Sequence, residues 1–600
     1  MTARAAARDD PAAMWIPTPS GHLFAWYHPP AVGTNRRCAV LLVDPFGVDR
    51  MVLHLTYRRL ALRLAELGFA VLRVDHPGTC DSEGSPREHA RIDAWMCGLD
   101  AAADRLRRWS GAGELSVCGL LLGGTLAAML AARRNDVTAM VLWAPYVLGR
   151  AAVRASVAAT ATCRSNPEGR EPSSAADGDQ EALGFLLSRE LIEDLHSVDL
   201  LRTTPVAVRH ALLVSRGPCA PESKLVPHLA AARIAVDVQN RPHDDIEDLL
   251  QAAGQGDPRT TIEEIADWHS RMFPREAGVA PAGRPVLDPS EVVLTEAGGI
   301  RVRESAVWLG TDGGVFAIAS EPADGAVREP AVVLVNGGAN HRPGINRSHT
   351  EWARLLAGRG HRVLRIDIRG LGDSPPSRPE LQGVLYLDET RQDVLDAAGW
   401  LRERGAQTVC AVGLCAGGYQ AYHAALAGSA IDAIVLLNPL RFHEERLGAA
   451  NLDLAGGARW RSALHQAVRP HDLLRAGPRL ARKILRRFGP EAMAARRLRG
   501  CLLDLTERGV DVAVVYNQNE PAFEYLRSVI HPVRRRLEAT GAFRIEMVGH
   551  ADHIFSPLWV QERVTDVILH HVGALAARTL AEQRTPKSRR RGAAAGRSAG

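Results

Sequence analysis

Val412-Gly413-Leu414-Cys415-Ala416-Gly417-Gly418 is the stretch on which the reading of this chain turns. An apolar run precedes it, a helix-forming run follows it, and its centre spells G-x-C-x-G. In the G-x-S-x-G elbow a sharp strand-to-helix turn lifts one side chain above the end of a parallel sheet, and flanking glycines let the turn close without clashes. Cys415 stands where that motif has serine. A thiol in that place faces substrate, and the N-terminus of the following helix favours its thiolate. The bland alternative is a small buried thiol filling a tight turn, which is how Cys410 in the preceding strand is read.

Working outward, the elbow has a counterpart. Leu115 to Cys118 runs into Gly119-Leu120-Leu121-Leu122-Gly123-Gly124, the same turn with leucine at its centre. Val71-Leu72-Arg73-Val74-Asp75, ending in Asp81-Ser82, is echoed by Val363-Leu364-Arg365-Ile366-Asp367, ending in Asp373-Ser374. Val141-Leu142-Trp143-Ala144-Pro145 is echoed by Val435-Leu436-Leu437-Asn438-Pro439. Echoes in a constant order mark a tandem duplication. Within each copy, all-apolar strands alternate with helical patterns, so each should be an α/β domain, a mostly parallel sheet flanked by helices.

The 600 residues, 46% hydrophobic and 24% charged, suit a soluble globular chain too long for one core. The expected division is a disordered leader over 1–13, a first domain over 14–273, a Pro/Gly/Ala-rich linker over 274–291, a second domain over 292–578 and a disordered basic tail over 579–600. An insert follows the strand after each elbow, Leu148 to Leu200 and Arg441 to Gly500, and each is expected to form a lid; the second is basic. A net charge of +5, much of it near the C-terminal end, does not argue for nucleic acid. Nine cysteines without CxxC pairs suggest neither disulfides nor zinc and point to a reducing, cytoplasmic setting. Met1 to Met14 lacks the apolar core of a signal peptide, and no window is apolar for long enough to span a bilayer.

Both halves resemble the α/β-hydrolase fold, and the second is similar to its serine aminopeptidase-like, exosortase-associated-hydrolase-like branch. Four marks carry the resemblance: Asn336-Gly337-Gly338-Ala339-Asn340-His341-Arg342 after a strand, Asp367 to Ser374 with its Gly370-x-Gly372-Asp373-Ser374 ending, the elbow at Cys415, and Gly549-His550-Ala551-Asp552-His553. The resemblance implies a nucleophile, then an acid, then a base along the chain. Cys415 is then the nucleophile. His553, after the strand Phe543 to Met547, is the base, with His550 as its rival. Glu520, just past Val512 to Tyr516, is the acid that orients the imidazole, where the family more often has aspartate; an exposed loop carboxylate is the other reading. The N–H of Ala416 and one from Gly338 or Ala339 would form the oxyanion hole, though Asn336-Gly337-Gly338 also suits a plain turn. Asn340, His341 and Arg342 suit either a pocket entrance or a solvated loop.

The first half has the frame without the chemistry. Leu121 cannot be a nucleophile, the acid position falls near Ala220, and His243 lies near the base position without a partner. Asp81-Ser82 is read as a turn feature, because Asp373-Ser374 repeats it.

A cysteine elbow with a histidine and a carboxylate implies acyl transfer through a thioester. The enzyme would be a hydrolase, thioesterase or acyltransferase acting on an ester, thioester or amide, with no cofactor. Its partner would be a small-molecule acyl substrate, free or presented on coenzyme A or an acidic carrier protein that meets the basic insert. Two alternatives stay open: a non-catalytic pseudo-hydrolase that binds an acyl ligand or a partner protein, and a dienelactone-hydrolase-like lactone hydrolase or cyclase.

Overall fold

The computed structural model describes residues 10–31, 36–88, 91–163, 178–241, 258–275, 286–295, 299–338, 340–443, 490–518, 520–549 and 551–584. The first unit contains β1 (Ala12–Thr18), β2 (Gly21–His28), β3 (Cys38–Val43), β4 (Ala70–Val74), β5 (Glu114–Leu120), β6 (Val137–Trp143), the small hairpin β7 (Gln180–Ala182) and β8 (Phe185–Leu187), β9 (His210–Ser215) and β10 (Ala235–Asn240). Its main sheet runs β1-β2-β4-β3-β5-β6-β9-β10, antiparallel as far as β4 and parallel from there on. The second unit contains β11 (Glu291–Thr295), β12 (Arg301–Leu309), β13 (Val315–Pro322), β14 (Arg328–Val335), β15 (His361–Ile366), β16 (Val409–Leu414), β17 (Ala433–Leu437), β18 (Asp511–Asn517) and β19 (Phe543–Val548). Its sheet runs β11-β12-β13-β15-β14-β16-β17-β18-β19, the same order with one extra edge strand.

The alternation of side chains along each strand explains why the strands read as unbroken apolar runs. In β3, Ala39, Leu41 and Val43 face one core with Trp95, Leu99 and Leu106 of helix Arg91–Ser110. Cys38, Val40 and Leu42 face the opposite core with Leu53, Leu60 and Leu64 of helix Val48–Glu66. In β16, Val409 and Ala411 lie in one core, while Cys410, Val412 and Leu414 lie in the other together with Cys415. A sheet covered on both faces leaves no polar face to interrupt the pattern.

Three expected boundaries shift. The first strand begins at Ala12, inside the expected leader. The last stretch of the expected linker is bound to the first unit by an Arg105–Asp288 ion pair of 2.7 Å and a Trp15 N–H donated to the Pro289 carbonyl at 3.0 Å. Helix Leu558–Arg584 runs past the expected start of the tail. The first insert is helix Gly149–Cys163, the hairpin β7–β8 and helix Arg189–Ser197 around residues 164–177, which lie outside the described residues. The core of the second insert, 444–489, also lies outside them.

The two units meet across an apolar cluster of Trp15, Phe24, Trp26, Val292, Leu294, Phe316 and Ile318, beside a buried set of arginines and carboxylates. Arg73 of the first unit pairs with Asp373 of the second at 2.7 Å, and Arg365 of the second pairs with Asp81 of the first. Arg73 and Arg365 hold the same place in the two copies, as do Asp81 and Asp373, so the contact is exchanged as across a twofold axis. Arg342 sits near that axis. It bonds Asp81, Asp367 and Asp373 at 2.7, 2.9 and 2.8 Å. Its guanidinium lies 4.9 and 4.6 Å from the rings of Phe24 and Phe316, which also match each other in the repeat. Arg342 is therefore neither a pocket-entrance residue nor part of a solvated loop. His341 is also buried, stacked on His54 of the first unit with ring centroids 4.1 Å apart.

The Asp-Ser turn is more than a turn. Ser82 Oγ donates to the Asp75 carbonyl and accepts the Phe24 N–H, and Ser374 does the same with Asp367 and Phe316. The serines fasten each turn to its own sheet, which presents Asp81 and Asp373 to the other unit's arginine.

Candidate active site

Strand β16 ends at Leu414 and helix Ala416–Ala427 begins two residues later, leaving Cys415 alone in the turn with φ 53° and ψ −110°. Such a backbone costs a non-glycine residue about 1–3 kcal/mol. The turn closes because a Cβ on Gly413 would stand 2.3 Å from the Gly417 carbonyl carbon. Leu121 adopts nearly the same strained conformation, φ 53° and ψ −122°, with no reactive group to present. The first unit thus keeps the elbow and its strain without the chemistry.

The structure brings Cys415, His553 and Glu520 together from three segments. Glu520 Oε2 lies 2.8 Å from His553 Nδ1, and the imidazole interacts electrostatically with the Cys415 sulfur. All three are buried. Burial works against a charged imidazole, but the Cys415 thiolate and the bond to Glu520 outweigh it, raising the His553 pKa to about 10. Burial likewise pushes the Cys415 thiol up, and here the His553 charge and bonds from the Tyr386 hydroxyl and the Ala416 N–H outweigh it, so the thiol lies below its ordinary value. Both shifts favour the thiolate–imidazolium form of the pair.

The oxyanion-hole candidates divide. The Ala416 N–H already faces the sulfur. Gly338 turns with φ 57°, and the loop lies so close to the elbow that a Cβ on Gly337 would stand 2.6 Å from the Leu414 carbonyl oxygen. Ala339 lies outside the described residues, as do His550, the rival base, and His243 of the first unit. Asn340, half-buried, accepts a bond from Asn336 Nδ2 at 2.9 Å.

Four neighbours were not singled out from sequence. The Tyr386 hydroxyl stands 3.3 Å from Cys415 Sγ, with its ring edge-on to Tyr419 and 5.1 Å from the Arg441 guanidinium. Asn438, at φ 41°, donates from Nδ2 to the His553 carbonyl at 2.7 Å and accepts the Asn517 N–H at 2.8 Å. Asn517 Nδ2 in turn donates to Glu520 Oε2 at 2.9 Å. Asn438 carries a signal that sequence could have used, since Ala144 occupies its place in the first copy, which has no nucleophile. The fourth, Gln561, bonds the Ser556 carbonyl and reaches the Gly184 carbonyl of the first unit's hairpin at 2.9 Å. With the Leu558 N–H donated to Glu181 at 3.3 Å, this braces the His553 loop against the first unit.

Among the described residues no three His, Cys, Asp or Glu side chains gather as a metal site, and no helix is long and apolar enough to cross a membrane.

Residues 50–203 match the family model described as serine aminopeptidase, S33, and residues 332–568 match the alpha/beta hydrolase family model. The serine aminopeptidase match thus falls on the first unit. No curated protein matches the chain. Solved structures similar to it include Est1E from Butyrivibrio proteoclasticus with ferulic acid bound, at 15% identity over 43% of this chain and 98% of that one, TM-score 0.32. XC6422 from Xanthomonas campestris, titled an a/b serine hydrolase without lid, is 15% identical over 44% and 97%, TM-score 0.29. A putative dienelactone hydrolase from Klebsiella pneumoniae subsp. pneumoniae MGH 78578 is 13% identical over 44% and 97%, TM-score 0.29. With two family models matched in tandem and the same sheet order built twice, the chain is a pair of α/β-hydrolase units joined end to end.

Proposed function

We propose that this chain is an acyl-transfer enzyme, a hydrolase, thioesterase or acyltransferase, that works through a thioester on Cys415. One observation carries the reading: a strained elbow holds Cys415 against a His553–Glu520 pair whose charges favour thiolate and imidazolium. A decayed site would have no reason to keep the array.

The steps follow from the groups present. The Cys415 thiolate attacks the acyl carbon of an ester, thioester or amide, forming a C–S bond while the carbonyl oxygen takes up the charge. The Ala416 N–H and the Gly338 loop stabilise that oxyanion, and one such donor is typically worth about a hundredfold or more in rate. Collapse breaks the bond to the leaving group, which takes the proton of His553. Water or another acceptor then gives a proton to the neutral His553 as it attacks the thioester. The C–S bond breaks, and thiolate and imidazolium return. Glu520 holds the ring in the tautomer that faces Nε2 to sulfur. The Tyr386 hydroxyl lowers the energy of the thiolate before attack and is freed to bond the substrate once sulfur is acylated.

The acyl donor is a small molecule, free or carried on coenzyme A or an acidic protein. The basic segment read as meeting a carrier lies mostly in 444–489, outside the described residues. The test is turnover of a panel of activated acyl thioesters, esters and lactones by the wild type, Cys415→Ala and His553→Ala. Activity confined to the wild type supports the reading. Equal activity in Cys415→Ala, or none with any donor, refutes it and leaves the pseudo-hydrolase alternative.

A further inference from the structure

The first unit's hairpin β7–β8 turns at Leu183-Gly184, where both residues have positive φ, 51° and 84°. A two-residue turn of this kind follows the twist of its strands but favours Asn, Asp or Gly at its first position, so Leu183 holds its conformation at a cost. The hairpin is fixed to its own unit: Ala182 and Leu187 lie in the first unit's core, and Phe185 meets Phe46 edge to face with centroids 5.8 Å apart. Its tip reaches the second unit. The Gly184 carbonyl accepts Gln561 Nε2 at 2.9 Å, and the Glu181 carboxylate accepts the Leu558 N–H at 3.3 Å. A Cβ on Gly184 would stand 2.3 Å from the Ser556 carbonyl oxygen and 2.1 Å from Asn346 Nδ2, so only glycine fits against them.

Ser556 closes the loop that carries His553. Its N–H donates to Asp552 Oδ1 at 2.7 Å and its hydroxyl donates to the same carboxylate, so residues 552 and 556 enclose the base. Between them Phe555, at φ 55°, is buried in the core that also holds Cys415. The loop is held from two sides. On one, Asn438 Nδ2 donates to the His553 carbonyl at 2.7 Å. On the other, the Ser556 carbonyl accepts bonds from Gln561 and, at 3.5 Å, from Asn346 Nδ2, with Gly184 packed against it. The first support belongs to the second unit's own sheet, whereas the second is completed by the first unit. A push on Ser556 passes through the Asp552 bonds to the imidazole, whose Nδ1 stands 2.8 Å from Glu520.

We propose that the Leu183-Gly184 turn is a positioning element for His553. The first unit has no nucleophile at its own elbow, and its hairpin sets the place of the base in the second unit's site. This inference rests on the reading of His553 as the base and gives the first unit a task in that reaction. Gly184 and Gln561 are positioning residues, because each acts through the Ser556 carbonyl. A misplacement of about 1 Å far from the chemistry can cost about a hundredfold in rate.

The experiment compares the full chain as wild type, Gly184→Ala, Gln561→Leu and Gly111→Ala. Gly111 also has positive φ, 64°, in the first unit, but a Cβ there would meet nothing within 4 Å, so its variant repeats the backbone strain without the contact. The readouts are the pH dependence of Cys415 alkylation by iodoacetamide and the single-turnover rate with an activated acyl thioester. A misplaced imidazolium supports the thiolate less, so Gly184→Ala should move the lower limb of alkylation up by about one pH unit. Acylation at neutral pH should fall by about ten- to a hundredfold. Gln561→Leu should move the limb the same way by a smaller amount, and gives an independent reading if Gly184→Ala does not fold. Gly111→Ala should lower the denaturation midpoint and keep the wild-type limb. The proposal is overturned if a folded Gly184→Ala or Gln561→Leu keeps the wild-type limb, or if Gly111→Ala moves it as far. A wild type that takes up no acyl group, with the limb still moved in Gly184→Ala, would support the positioning and refute the acyl-transfer reading alone. Acyl uptake with the limb unmoved would do the reverse.

Discussion

Glu520→Gln replaces a carboxylate 2.8 Å from His553 Nδ1 with an amide of the same shape. In the wild type the imidazolium is held at about 10, burial opposing it and Cys415 and Glu520 supporting it. A hydrogen bond to a charged group contributes about 1.5–3 kcal/mol. At about 1.4 kcal/mol per pKa unit, its loss should lower the His553 pKa by roughly one to two units. Because imidazolium protonates the leaving group, the upper limb of the acylation profile should move to lower pH by that amount. The lower limb should move up, since a weaker imidazolium supports the thiolate less. The stability consequence has a definite sign. A histidine whose folded pKa is raised stabilises the fold fully below its unfolded value of about 6.5 and loses that contribution as pH rises through about 10. The gap between wild type and variant should therefore be largest near pH 6 and close above pH 10. The assay is the pH dependence of Cys415 alkylation by iodoacetamide, read by peptide mass, beside acylation rates from pH 5 to 11. Unmoved limbs would refute the assignment of Glu520 as the orienting acid.

Asn438→Ala removes two buried hydrogen bonds, one of them to the His553 carbonyl at 2.7 Å. The chain should still fold, as Ala144 holds the matching place at φ 45°, and acylation should fall by about ten- to a hundredfold, measured by single-turnover kinetics. Tyr386→Phe should raise the Cys415 thiol pKa and slow its alkylation at pH 6 while leaving the rate at pH 10 nearly unchanged; an equal drop at both would mean a packing role instead. Arg342→Met should cost about 3–5 kcal/mol in urea unfolding, because Asp81, Asp367 and Asp373 lose their shared cation. Of those acids, Asp373→Asn should destabilise more than Asp367→Asn. Burial opposes both charges, but Arg73, His54 and Arg342 hold the Asp373 pKa well below the ordinary range, whereas Asp367 is raised to about 6. Stability owed to Asp373 is thus full above its ordinary value of 3.8 and is lost progressively as pH falls below it, while the charge on Asp367 is a cost that builds as pH rises from 3.8 to about 6.

The parts legible in the sequence were those set by local pattern. The elbow is written in Gly413, Cys415 and Gly417, because only glycine fits where a Cβ would strike the next turn, and the sheet is written in its all-apolar strands. His553 and Glu520 were picked out because each stands just after a strand that could be read from its residues, Phe543 to Met547 and Val512 to Tyr516. What the sequence concealed depends on residues far apart along the chain. Asp81 and Asp373 looked like turn residues because their partners, Arg365 and Arg73, lie in the other copy. Arg342 looked like a loop residue for the same reason. Asn438, Tyr386 and the hairpin that braces the His553 loop have no motif of their own. They become visible only when the strands are laid side by side.

The central claim is that Cys415 takes up an acyl group. Intact-mass measurement after brief mixing with an activated acyl thioester, followed by peptide mapping, tests it most directly. The wild type should gain the mass of one acyl group, mapped to Cys415 and cleared on standing, and Cys415→Ala should gain none. An adduct that is absent, or that maps to other cysteines to the same extent in Cys415→Ala, would contradict it.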